Sequence, residues 1–177
     1  MSDIRNIVIL TGAGISAESG IDTFRDAGGL WEQHRVEDVA TPEGFARDPD
    51  LVLKFYDMRR DALSKVDPNA AHVALGRLER EWTGGLLIVT QNVDDLHERA
   101  GSSHILHLHG EILKARSARD ESLIIELGNR DIHPGDCAPD GAALRPHIVW
   151  FGEEVPGIFA ALDIAQQADI LIVIGTS

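Results

Sequence analysis

Two stretches far apart in the chain constrain its fold most: TGAGISAESG at residues 11–20 and TQNVD at residues 90–94. Each follows an apolar β-type run, at residues 7–10 and 86–89, so small or amide-bearing side chains stand at the carboxyl end of a predicted parallel strand. Open α/β sheets bind ligands at that edge. Gly12, Gly14 and Ala17 follow the G-x-G-x-x-A pattern. Glycines without Cβ let backbone N–H groups approach a pyrophosphate, and a helix start adds a positive dipole and unpaired donors. A dinucleotide suits such a turn, although the glycines alone read equally as a tight strand-to-helix turn. A hydride-transfer domain would place a second strand and an acidic ribose ligand about 20 residues on. Residues 21–60 carry no convincing strand, so the turn serves something other than a standard dehydrogenase.

Continuous apolar runs at residues 4–10, 86–90, 105–108 and 170–174 predict buried parallel strands. Asp48 is a predicted N-cap with Pro49 at the first helical position, and Leu51, Phe55, Met58 and Ala62 then form one apolar face. A second helix starts after Asn69, turns Ala71, Ala74, Leu75 and Leu78 to the core, and ends before Gly84. A third spans residues 93–100, with Gly101 as its C′ residue. Strands alternating with helices predict an α/β fold, a Rossmann-like doubly wound parallel sheet. From 111 to 146 the regularity gives way to short strands at 112–116 and 123–127, read as a small inserted lobe packed on Leu123, Ile125 and Leu127. The core pattern resumes at 147–150, and a helix follows at 156–167. The expected division is a nucleotide-binding domain at 1–110 and 147–177 with the lobe at 111–146. The last strand ends in Gly175, Thr176 and Ser177, where another crossover belongs, so the carboxyl-terminal part of the sheet is expected to be missing.

At 177 residues the chain supports one well-filled core. Sixteen basic against 29 acidic residues give a formal charge of −13, which repels nucleic acid and anionic membrane and suits a partner presenting lysines. The amino terminus lacks a basic segment leading into an apolar one, and no run reaches transmembrane length, so a soluble cytoplasmic protein is expected. Cys137 is the single cysteine. An intramolecular disulfide is excluded and a reducing compartment fits.

Taken together, GAGISAESGI at 12–21, TFR at 23–25, TQNVD at 90–94, HLHGE at 107–111, RPHIVWFGE at 145–153 and GTS at 175–177 resemble the sirtuins, NAD-dependent protein-lysine deacylases. The resemblance spans the whole chain. It implies a cleft between the large domain and the lobe where NAD meets an acylated lysine of a protein or peptide. By the same resemblance Ala13, Gly14, Ser16 and Ala17 line the pyrophosphate within a cofactor-binding stretch that also takes in Gly12, Ile15 and Glu18, and Asp22, Phe24 and Arg25 belong to a cofactor loop. Gln91, Asn92, Val93 and Asp94 surround the ribose and nicotinamide, and Gly175, Thr176 and Ser177 mark the phosphate or ribose side. Asn92 and His109 are the expected catalytic residues, and His109 also touches the cofactor. An imidazole titrating near neutrality matches the removal of a proton from a hydroxyl. NAD is consumed, nicotinamide leaves, and the acyl group passes to ADP-ribose. Val149, Trp150, Phe151 and Gly152 are expected to pair with an extended substrate peptide, although Trp150 and Phe151 also read as core aromatics.

Tyr56 and Arg59 stand three apart on the predicted helix and share a face. A guanidinium with a phenol can hold a carboxylate, and the resemblance to bacterial desuccinylating sirtuins assigns this Tyr-x-x-Arg to succinyl- or malonyl-lysine. Ala27, Gly28 and Gly29 before Leu30 and Trp31 leave room for the acyl chain. The family's structural zinc, held by two cysteine pairs, falls here on Ser117, Asp120, Cys137 and Asp140. His133 and Asp136 stand nearby. This is a poor zinc cage; structural zinc is doubtful, and no metal ligand is assigned. Rival readings are a non-catalytic NAD- or ADP-ribose-binding module or inactive fragment, a dehydrogenase, and an ADP-ribosyltransferase.

Overall fold

Alternation along the first strand generates the layers of the molecule. In β1 (Asn6–Thr11) Ile7 and Ile9 point to one face of a parallel sheet, and Val8 and Leu10 to the other. The computed structural model describes residues 4–23 and 34–176. Phe24, Arg25, the 27–31 stretch and Ser177, all assigned above, lie outside the described residues.

After β1 come a 3-10 segment (Ala13–Ser19), α1 (Val36–Val39), α2 (Pro42–Arg47), α3 (Pro49–Leu63) and α4 (Ala70–Glu81). The chain continues through β2 (Gly85–Thr90), α5 (Leu96–Arg99), β3 (Ile105–His107), β4 (Gly110–Ser117), β5 (Ile124–Glu126), β6 (Leu144–Ile148), α6 (Ile158–Gln166) and β7 (Ile170–Ile174). The parallel sheet has the order β3-β2-β1-β7, in register from Asn6 against Gly85 to Thr11 against Thr90. On one face Leu75, Ala71 and Leu78 of α4 cover Ile7, Ile9, Leu86 and Ile88; on the other Ala161 and Ile164 of α6 cover Val8, Val89 and Leu108. Helices on both faces make the sheet doubly wound. The chain steps outward from β1 to β2 to β3 and then returns to the far side of β1. The strand order therefore reverses between β1 and β7, where an open α/β sheet has its crevice.

The second sheet is antiparallel, with the order β5-β4-β6. Leu53 of α3 packs against Ala115 of β4 and against Leu127 and Ile132, which follow β5.

Several local expectations change. Met58 is 58 % exposed and Ala62 also faces water; α3 buries Val52, Leu53, Phe55, Tyr56, Arg60 and Leu63. The helix is covered by the small sheet on one side and by α1, α2 and Leu96 of α5 on others, so its buried stripe is broader than one apolar row. Ala74 of α4 is exposed too. The helix expected at 93–100 shortens to Leu96–Arg99 because Asp94 turns back to accept from the Leu96 N–H at 3.1 Å, which delays the helix start. His147 and Ile148 close β6 of the small sheet instead of resuming the large one. The lobe core centres on Ala115, Leu127 and Ile132, with Leu123 and Ile125 only half-buried.

Candidate active site

The glycine turn begins where β1 stops. A Cβ on Gly12 would stand 2.7 Å from Cβ of Thr176, and one on Gly14 would stand 2.9 Å from Cα of Gly175. Glycine is thus required for the turn after β1 to touch the turn after β7, and the Gly14 N–H donates to the Gly175 carbonyl at 2.8 Å. Ile15 turns into the core beneath, whereas Gly14, Ala17 and Glu18 stay exposed. The segment that follows is a 3-10 turn, ended by Gly20 at φ +94°. Its outward backbone and the small side chains of Ala13, Gly14 and Ala17 fit a pyrophosphate.

Ser16, buried under this turn, joins it to the second stretch. Its hydroxyl donates to Asp94 Oδ2 at 3.0 Å and accepts from Asn92 Nδ2 at 3.0 Å. Thr176 donates from Oγ1 to Gln91 Oε1 at 3.4 Å. The turns after β1, β2 and β7 therefore meet, bringing Ser16, Gln91, Asn92, Asp94 and Thr176 together. Burial raises the Asp94 carboxyl above its ordinary range against the pull of the Leu96 N–H and the Ser16 hydroxyl. Asp22 is exposed, and Val93 packs against the aromatic core around α3.

His109 follows β3. Its Nδ1 lies 3.0 Å from the Gln91 carbonyl oxygen. A carbonyl only accepts, so Nδ1 carries the proton, and in the neutral ring Nε2 keeps a lone pair. That nitrogen is the one able to take a proton. Gly110 sits next to it at φ +82°, where a Cβ would collide with the His147 carbonyl, so glycine is required for β4 to start this close to β6.

The Val149 N–H donates to the His109 carbonyl at 2.9 Å, and the Phe151 N–H donates to the Ala40 carbonyl at 3.0 Å. Phe151 is exposed, while Gly152 adopts φ +90°. Trp150 is instead a core residue: its indole N–H donates to the Tyr56 hydroxyl at 2.9 Å, and Arg145 stacks on its ring at 3.4 Å. Tyr56 is buried, and burial pushes its phenol up to about 12 despite the Arg59 charge. The Arg59 guanidinium lies 5.5 Å from the Phe55 ring centroid. Burial lowers its pKa against the pull of Tyr56 and Asp94, so the guanidinium shares one electrostatic neighbourhood with both.

Below these residues lies a polar layer that the sequence did not announce. Asn69 caps α4 and reaches the Ile15 carbonyl through Nδ2 at 2.7 Å, and buried His72 stands 3.5 Å from the Ser16 hydroxyl. His97 Nε2 lies 3.0 Å from Thr11 Oγ1, which donates to Thr90 Oγ1 at 2.8 Å; Thr90 in turn accepts from the Asn92 N–H. Burial, and then the neighbouring His72, lower His97 to about 4, which keeps it neutral. The only signal for His72 was its place three residues after the cap. Thr11 and Thr90 were visible only as the first residues of the two motifs, and His97 gave no signal.

The implied zinc does not fit. The Ser117 hydroxyl donates to Asp140 Oδ2 at 2.7 Å and accepts the N–H groups of Arg119 and Asp120. Asp120 is occupied by Ser122, and Cys137 is exposed, donating to the Gly135 carbonyl. One thiol with hard oxygen groups already bonded to each other is not a structural zinc set. A groove of about 420 Å³ between α3 and the lobe, lined by Asp50, Asp57, Asp61, Asp131 and His133, lies away from all the chemistry above.

A family model described as Sir2 family matches residues 12–177. An NAD-dependent protein deacylase of Vibrio vulnificus (strain YJ016) is 58 % identical over 181 residues, covering 98 % of this chain and 72 % of its own. One of Helicobacter pylori (strain J99 / ATCC 700824) is 57 % identical over 174 residues, covering 98 % and 73 %. Among solved structures, a Sir2 homologue in complex with NAD superposes with a TM-score of 0.88 at 44 % identity, over 99 % of this chain and 69 % of the other. A Sir2 structure with a deacetylated p53 peptide and 3′-O-acetyl ADP-ribose gives 0.79 at 30 % identity, over 98 % and 72 %. No helix among the described residues is long and apolar enough to cross a membrane.

Proposed function

The chain belongs to the Sir2 family and is an NAD-dependent protein deacylase, and we propose that His109 is its general base and that it accepts acyl groups ending in a carboxylate as well as acetyl. The observation that carries the first part is the His109 hydrogen bond: Nδ1–H bound to the carbonyl of Gln91, the residue before Asn92, leaves the lone pair on Nε2. When bound, NAD supplies a ribose carbon from which nicotinamide departs. Gly12, Ala13, Gly14 and Ala17 hold its pyrophosphate, and Gln91, Asn92, Asp94, Gly175 and Thr176 hold the ribose and nicotinamide side. His109 takes the proton of a ribose hydroxyl. The 149–152 segment lines up the peptide through its backbone. Burial makes the ionised form of Asp94 costlier than that of an exposed carboxylate, and the Leu96 N–H and the Ser16 hydroxyl offset part of that cost.

The carboxylate preference rests on Tyr56. Its oxygen accepts from Trp150 and leaves its own O–H to donate, while Arg59 supplies the charge in the same neighbourhood. The test is mass spectrometry of acetylated and succinylated peptides incubated with NAD. Arg59→Met is expected to lower kcat/KM for the succinyl peptide at least ~10-fold, the scale of one charge-assisted pair, and to spare the acetyl peptide. His109→Asn is expected to lower both by about 10²–10⁴. Equal loss on the two peptides in Arg59→Met would sink the carboxylate reading.

A further inference from the structure

Two imidazoles, His107 and His109, stand two residues apart and do the same thing on neighbouring carbonyls. His109 Nδ1 meets the Gln91 oxygen at 3.0 Å, and His107 Nδ1 meets the Asn92 oxygen at 3.2 Å. Their other nitrogens differ. That of His107 lies 2.7 Å from Glu98 Oε1, a group of α5, and this pair is mostly withdrawn from water on the histidine side. Both contacts are with acceptors, so both nitrogens of His107 must carry protons to satisfy them. Losing one proton would either turn a lone pair towards the Glu98 carboxylate or release the Asn92 carbonyl.

Asn92 is the residue most in need of a fixed backbone. Its N–H donates to Thr90, its side chain donates to Ser16, and its carbonyl is held by His107. We propose that His107 is a positioning residue for the deacylation site: anchored by Glu98, it clamps the Asn92 carbonyl, sets the Asn92 amide against Ser16, and works with a proton on each ring nitrogen. This rests on the reading of Asn92 and His109 given above.

The surroundings support the charge. Glu98 and His97 face the ring from α5, Asp94 and Asp95 from the loop before it, Glu111 and Lys114 from β4, and Glu126 from β5; several of these line a cavity of about 110 Å³. Burial alone would lower His107, but the hydrogen bond and charge of Glu98, with Glu111 behind, raise it above its ordinary value. Burial would raise Glu98, and His107 brings it down instead. Glu98, His107 and Glu111 also lie close enough to suggest a metal cluster, but Lys114 Nζ, 2.9 Å from Glu111 Oε2, already supplies a cation there.

The sign follows from the raised pKa. His107 is protonated below its folded pKa, so the clamp is intact on the acid side and weakens as pH rises through that value. Two readings test this. In 15N-histidine NMR of the protein without NAD, His107 is expected to show two protonated ring nitrogens at neutral pH, and Glu98→Gln is expected to lower its titration midpoint. In kinetics, Glu98→Gln is expected to move the alkaline limb of kcat/KM for NAD down by at least ~0.5 pH unit. His107→Ala is expected to lower kcat/KM about 10-fold, the worth of one charge-assisted bond. His107→Asn, whose amide can reach the same carbonyl, is expected to restore most of it. A neutral His107 ring, an unmoved limb in Glu98→Gln, or equal loss in the Ala and Asn variants would overturn the proposal. An inactive wild type with a doubly protonated His107 would instead count against the catalytic reading alone.

Discussion

The parallel sheet and the small lobe are held by different forces. Ile9 and Ile88 are wholly withdrawn from water at the centre of the sheet and pack in one apolar cluster with Ile7, Ile15, Leu75 and Leu86. In the lobe the buried side chains include Arg116 and Arg145, and both donate to Glu153: Arg145 at 2.6 and 3.0 Å, Arg116 at 3.2 Å. The Trp150 N–H adds a fourth bond at 2.8 Å. Burial would raise the Glu153 carboxyl, but these partners carry it below its usual range. The short lobe cannot bury enough apolar surface to hold itself, so it relies on directional, charge-assisted contacts. Apolar packing tolerates small shifts, whereas a buried ion cluster fails when one member goes.

Three substitutions probe that difference. Glu153→Ala leaves two buried guanidinium groups without their shared acceptor and is expected to cost ~4 kcal/mol. Limited proteolysis should show the first cut between residues 118 and 143, and denaturant titration should give the free energy; a loss under ~1 kcal/mol would erase the contrast. Ile88→Ala, which opens a cavity in the sheet, is expected to cost ~3 kcal/mol and to unfold the molecule without preferential cutting in the lobe. Ser117→Ala removes the hydroxyl that ties Asp140 to the N–H groups of Arg119 and Asp120. Its expected effect is smaller, a fall in Tm of roughly 2–4 °C, unchanged by a zinc chelator. A chelator-induced drop in the wild type of that size would mean that metal, and not this clasp, holds the lobe.

Legibility follows the same division. The runs at 7–10, 86–89 and 170–174 announce strands because a strand buried on both faces must be apolar throughout. Asp48 and Asn69 announce helix starts because capping is a local hydrogen bond, and both side chains accept from their helices as expected. Met58 misleads because which side of α3 is covered depends on the lobe, brought back by β4 from far along the chain. Arg60 is fully buried, donating to the Ile112 carbonyl and to Asp57, and nothing local marks an arginine for burial. Ser16, Asn92 and Asp94 were legible as a group through their motifs, whereas His72 and His97 beneath them were not. A lone histidine looks the same in sequence on a surface and in a core.

The amino-acid order by itself determined the strands, the helix starts, the glycine turn and the side chains that surround it, because each depends on a few neighbouring residues or on a motif short enough to survive intact. Only the tertiary structure decided which nitrogen of His109 is free, which charges meet at Glu153 and why His107 faces Glu98. Those contacts join residues dozens of positions apart, and their protonation is set by burial and by partners that come near only when β1, β2, β7 and the small sheet close around them.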